Sequence, residues 1–217
     1  MKIPFTTGQF LSVFEHYNQA IFPGQLFILL LGIFSMVLVH THKSFKDKLT
    51  GSVLGLLWIW MGIVYHLVFF AVINPAARLF GALFILQGLL ILYASIQGKL
   101  HLSFNNKGFD YIGYFFILFG MFIYPLIGLY LNGEPSKIIS LGLPCPTTIF
   151  TFGLFILARN HFPKYLLIIP GLWAVVGLSA AVNLGIYQDL MLIIAALFAI
   201  VIILTEKRIS LNYESSL

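Results

Sequence analysis

Of the chain's 217 residues, 60% are hydrophobic and only 9% charged, with a mean hydropathy of +0.99; a soluble domain carries about 25% charged residues. The formal net charge of +5 does not point to nucleic acid, because the basic residues are spread over short loops between apolar stretches. One cysteine excludes an intrachain disulfide, and polar residues among the first twenty positions argue against a signal peptide.

The pattern predicts an all-α integral membrane protein in the lipid bilayer. It is a single domain over 1–217, with seven transmembrane helices and an N-terminal interfacial amphipathic helix. That first helix covers 6–20. Thr6 at its N-cap and Gln9 three residues on form a capping box, and Phe5 and Phe10 stand at the positions of a hydrophobic staple. Phe10, Leu11, Phe14, Tyr17 and Ile21 recur at helical spacing, with Gln9, Ser12, His16 and Gln19 largely on the other face. Glu15, His16 and Asn18 are its residues with the chemistry to contribute to a site.

Apolar spans follow at 22–42, 49–71, 76–97, 109–131, 146–158, 165–183 and 187–205. The linkers leave no room for an extramembrane domain. Pro125 and Pro170 fall inside spans and predict kinks, while Gly177 and Ala181 form a small-residue packing pair. Gly51, Gly55 and Gly62 share a helical stripe that lets a neighbour approach, and His66 lies close to that stripe, so it is expected to point into the bundle.

Basic residues set the orientation. Lys43, Lys46, Lys48, Lys99, Lys107, Arg159, Lys164, Lys207 and Arg208 fall on one side and Lys2, Arg78 and Lys137 on the other, a division of 9 to 3. The positive-inside rule then puts the N-terminus outside and the C-terminus in the cytoplasm, in a multi-pass protein of the inner membrane. Without a crossing at 146–158 the division would be 5 to 7, so the count favours seven spans.

The fifth span breaks the pattern. Its 13 residues reach about 20 Å, against a hydrocarbon core of about 30 Å, and it opens with Pro144-Cys145-Pro146-Thr147-Thr148. With Pro146 at the first helical position, Cys145 becomes the N-cap and 140–145 an extended stretch dipping into the bilayer. Irregular backbone at that depth needs protein or a watery cavity to satisfy it. Thr147, Thr148 and Thr151 can bond the released backbone groups, or can receive a solute at the helix start.

The polar residues of the outer half define the candidate ligand-binding set: His66, Asn74, Cys145, Thr147, Thr148, Asn183 and Asp189. An ionisable residue inside a span is a functional candidate by default, and His66 is the foremost. Against this stands a neutral imidazole bonded to a neighbouring carbonyl. Asp189 is placed to stabilise the start of the last helix, or to pair with His66 or Arg78 or bind a cation within the outer cavity. Cys145 at a helix start favours a thiolate, yet no second cysteine or paired histidines accompany it. Neither a metal site nor a catalytic residue is assigned, and no cofactor motif is found.

Several segments together resemble one bacterial membrane family. They are Pro4-Phe5-Thr6, Tyr17-Asn18, Pro23, Tyr65-His66 with Phe70, Ile73-Asn74-Pro75-Ala76, Pro144-Cys145-Pro146-Thr147-Thr148 with Thr151-Phe152-Gly153, and Ala180-Ala181 with Asp189. The family is the domain of unknown function six-zero-six-four. The resemblance spans nearly the whole chain and implies the architecture but no activity. Three functions are therefore weighed: binding or passage of a small polar solute through an outward-facing cavity, an intramembrane enzyme using His66 and Asp189, and a sensor or accessory subunit. A homo-oligomer is compatible with each. A narrow polar channel would favour the first, a closed pocket with a converging His-Asp pair the second, and a shallow lipid-facing groove the third.

Overall fold

Apolar, helix-forming runs separated by Gly, Pro and Asn leave the chain little alternative to helices. The computed structural model, which describes residues 4–159 and 162–214, contains no strand among them. Helix α1 (Thr7–Ile21) begins as predicted. Thr6 Oγ1 accepts the Gln9 N–H at 3.2 Å, Gln9 Oε1 accepts the Thr6 N–H at 2.9 Å, and the Phe5 ring stacks on Phe10 at 5.6 Å. Its buried residues, Phe10, Val13, Phe14 and Tyr17, form one stripe against the body of the protein.

Helix α2 (Gly24–Val39) departs from α1 at 89°. Helix α3 (Lys46–Trp60) continues through a π-helical stretch, Met61–Phe69, and a 3-10 turn, Phe70–Val72. Helix α4 (Ala77–Ile96) returns against it. Helix α5 (Gly108–Leu118) passes through a second π-helical stretch, Phe119–Ile123, into α6 (Tyr124–Asn132). Then come α7 (Pro144–Leu157), α8 (Ile168–Leu184) and α9 (Leu190–Glu214).

Five helical stretches are long and apolar enough to cross a membrane: Lys46–Val72, Ala77–Ile96, Gly108–Leu131, Lys164–Leu184 and Tyr187–Thr205. The count is six if the bent pair α1 and α2 is taken as one span. The other two predicted spans, 22–42 and 146–158, correspond to helices of 16 and 14 residues, shorter than the roughly 20 that a straight crossing needs.

Close backbone approach, made possible by glycine, joins the helices in pairs. A Cβ on Gly62 would lie 2.7 Å from the Gly81 carbonyl oxygen, and one on Gly55 would lie 2.9 Å from that of Gly88. The predicted glycine stripe of α3 and its π-helical extension thus meets a matching one on α4. In the same way a Cβ on Gly153 of α7 would lie 2.6 Å from the Gly113 oxygen of α5. On α8, Gly177 makes room for the Leu192 side chain and Ala181 is fully buried.

Helix α7 is the axis of the structure. All its residues except Cys145 are buried, enclosed by α5, α8 and α9. The predicted start requires correction: the helix opens at Pro144, with Leu143 as N-cap, so Cys145 is the second helical residue rather than the cap. The stretch expected to be extended contains instead a turn at Leu141 and Gly142, with Gly142 at φ 95°. That turn lets the Gly142 N–H reach Thr147 Oγ1 at 2.8 Å, and the positive φ suits glycine alone. At the other end, the Ser103 N–H donates to the Leu157 oxygen at 3.0 Å. Loops folded over both ends thus satisfy the backbone of a helix too short for a span.

The two in-span prolines stand at breaks in the α-helical register. Pro125 follows the π-helical stretch, where the altered hydrogen-bond register removes the clash that a proline ring makes with the carbonyl four residues back. Pro170 stands in the first turn of α8, just after the 3-10 turn Lys164–Leu167, where no interior hydrogen bond is lost.

Candidate functional site

A cavity of about 240 Å³ lies between α1, the π-helical stretch of 61–69 and the 70–76 turn, the first turn of α7, and α8. Periodicity builds its longest wall. Trp173, Gly177, Ala180 and Leu184 of α8 follow one another at intervals of three and four, with Val176 beside them, so a single stripe faces the space. Phe10 and Phe14 of α1 and Tyr65, Phe70 and Phe80 complete an aromatic lining.

Asp189 supplies the carboxyl group of that lining. Gly185, at φ 71°, ends α8, and the 3-10 turn Tyr187–Asp189 carries the carboxyl inward, where it is 1% exposed. The fully buried Tyr124 donates its hydroxyl to Asp189 Oδ1. Cys145 completes the group, its thiol beside both Asp189 and Tyr124, and what accessibility it retains opens onto the cavity it lines. No lysine, arginine or histidine pairs with Asp189 among the described residues.

The predicted site residues divide. Asn74, Cys145 and Asp189 line the cavity; His66, Thr147, Thr148 and Asn183 do not. His66 does point inward and is 0% exposed, but it sits behind the wall, with its ring 4.5 Å from Phe84 and 5.2 Å from Trp173 in T-shaped contacts. Neither of its ring nitrogens has a hydrogen-bond partner, so both the expected carbonyl bond and the His66–Asp189 pair are absent. Ring contacts compensate only weakly for an unpaired imidazole, which marks His66 as a strained point beneath the site.

Two of the threonines bond the backbone around the start of α7. Thr147 Oγ1 accepts the Gly142 N–H, and Thr151 Oγ1 donates to the Thr147 oxygen at 2.7 Å while accepting from Trp58 Nε1 at 3.0 Å. The Thr148 hydroxyl is buried without a partner. Asn74 caps its own turn, Oδ1 accepting the Ala76 N–H at 3.2 Å. Exposed Asn183 donates to the Ser179 oxygen, and Arg78 and His16 are likewise exposed and outside the lining.

Helix α1 roofs the cavity through polar bonds that sequence reasoning did not find. The Tyr17 hydroxyl donates to the Gly142 oxygen and accepts from Trp60 Nε1, while Asn18 Nδ2 donates to the oxygens of Ser136 and Ile138. Tyr124 and Trp173 were also missed, being aromatic residues among many; the α8 stripe is the signal that leads to Trp173. Distant from the cavity, Arg159 Nη1 donates to Asp110 Oδ1 at 2.5 Å, and Asp110 Oδ2 accepts the N–H groups of Asn105 and Lys107. This buried pair ties the start of α5 to the end of α7.

Chemically the site holds four weak acids, Asp189, Cys145, Tyr124 and Tyr65, among many ring faces. The described residues contain no cluster of three His, Cys, Asp or Glu side chains arranged for a metal ion. Neither the curated proteins nor the solved structures include a match to this chain. A model of a family described only as of unknown function matches residues 7–213, almost the full length, and the chain belongs to that family, DUF6064.

Proposed function

We propose that the chain is a polytopic membrane protein that binds a small organic ligand in the cavity beneath α1. The cavity carries this reading: about 240 Å³ lined by aromatic rings, with one carboxyl group reaching it. A cavity of about 150 Å³ accommodates benzene, so this one has room for about ten non-hydrogen atoms. Such a lining favours a ligand with an apolar body over the wholly polar solute that the sequence suggests. In this reading the bundle crosses the bilayer seven times, with α1 along the outer interface, and the 9 to 3 division of basic residues supports an outside N-terminus.

The test is thermal unfolding of the detergent-solubilised protein with a panel of small aromatic compounds, beside an Ala180→Phe variant whose ring fills the space. A ligand at a hundredfold excess over Kd stabilises by about 2.7 kcal/mol. Stabilisation of the wild type by at least one compound, absent in Ala180→Phe, is the expected result. No response in the wild type, or an equal one in the filled variant, refutes the reading.

A further inference from the structure

Asp189 is a carboxylic acid with no counter-ion among the described residues. The three ion pairs among the described residues use Asp47, Glu134 and Asp110, and the titratable groups facing Asp189 are the hydroxyls of Tyr124 and Tyr65 and the thiol of Cys145. The Tyr124 hydroxyl and the Cys145 thiol take up part of the carboxyl's acceptor capacity, and neither brings a positive charge. Buried carboxylates are ordinarily paired with a cation, because an unpaired charge in a low-dielectric interior is costly.

The surrounding surface suits a cation of a particular kind. Phe5, Phe10 and Phe70 form a triangle with ring centroids 5.6 to 5.7 Å apart, and Phe80 meets Trp173 at 5.4 Å across the lining. Ring faces attract an organic ammonium group through their quadrupoles, most strongly where water is excluded. They offer nothing to a hydrated inorganic ion, which needs several oxygen ligands.

Resting on the reading of the cavity as a ligand site, we propose that its occupant is a monovalent organic amine. The ammonium group sits on Asp189 and an apolar body of about ten non-hydrogen atoms in all sits against the aromatic rings. The ligand supplies the positive charge that no described residue brings to Asp189.

Calorimetric titration of the detergent-solubilised full chain with phenethylamine, 2-phenylethanol and propylbenzene tests this, since the three differ only at the terminal group. Phenethylamine is expected to bind about tenfold or more tightly than the other two. Asp189→Asn should erase that margin while leaving propylbenzene affinity within about twofold. Should Asp189→Asn fail to fold, benzyltrimethylammonium against its uncharged isostere neopentylbenzene in the wild type decides alone, the charged member binding more tightly if the proposal holds. Equal affinity across the three compounds, or an amine preference that survives in Asp189→Asn, overturns the amine and leaves the ligand site standing. Absence of binding by all of them overturns both.

Discussion

Replacing Thr147 with valine separates a structural threonine from a ligand-binding one. Thr147 is fully buried and its hydroxyl accepts the Gly142 N–H at 2.8 Å; valine keeps the shape and removes the acceptor. A buried amide left unpaired costs about 1 to 3 kcal/mol. For a chain of this length each kcal/mol lowers Tm by about 2 to 4 °C, so a loss near 2 kcal/mol lowers it by about 4 to 8 °C. Thr147→Ser, which keeps the oxygen, should lose less. The Gly142 oxygen receives the Tyr17 hydroxyl, so Tyr17→Phe and Thr147→Val should be non-additive by about 0.5 kcal/mol or more. The assay is unfolding in detergent of both single variants and the double. A Thr147→Val protein that melts with the wild type, or a Thr147→Ser protein as damaged as the valine variant, would show that the Gly142 bond does not hold the turn.

Three further outcomes follow from the packing. Gly153→Ala should abolish stable folding or lower Tm sharply, because its Cβ would lie 2.6 Å from a backbone oxygen of α5, whereas Gly171→Ala, with open space around it, should be neutral or gain about 0.5 to 1 kcal/mol. Arg159→Met should cost about 3 to 5 kcal/mol by stranding the buried Asp110 carboxylate, and adding Asp110→Asn should recover part of that loss in the same melting assay. Cys145 should react faster with a small membrane-permeant thiol reagent than with a bulky impermeant one, and Asn18→Ala, which removes two bonds of the α1 roof, should narrow the difference.

Where local chemistry is decisive, the sequence speaks clearly. Thr6, Gln9, Phe5 and Phe10 interact only with near neighbours in the chain, so the start of α1 could be read without tertiary knowledge. The glycines of α3 could be read as a contact stripe because only small residues permit it, though their partners Gly81 and Gly88 required the fold. The start of α7 lies two residues before the expected one because two prolines compete for the first turn, and the turn at Gly142, bonded to Thr147, goes with the earlier of them. The π-helical stretch 61–69 leaves no compositional trace, and it sets the direction of His66. Asp189 was identified by its chemistry, but its partner Tyr124 lies 65 residues away, a distance over which periodicity carries no information.

A central helix without an outer face also constrains the order of assembly. When α7 leaves the ribosome, α5 is already present, and their glycine contacts span only about 40 residues, so that pair can dock at once. Two of the helices that enclose α7, namely α8 and α9, are still to be synthesised. Until they arrive, part of its surface must rest against lipid or a chaperone. The cavity is therefore completed late, because Trp173 lies in α8 and Asp189 in the turn just before α9. A nascent chain halted at Leu184 would hold the scaffold in place and have nowhere yet for a ligand charge to settle.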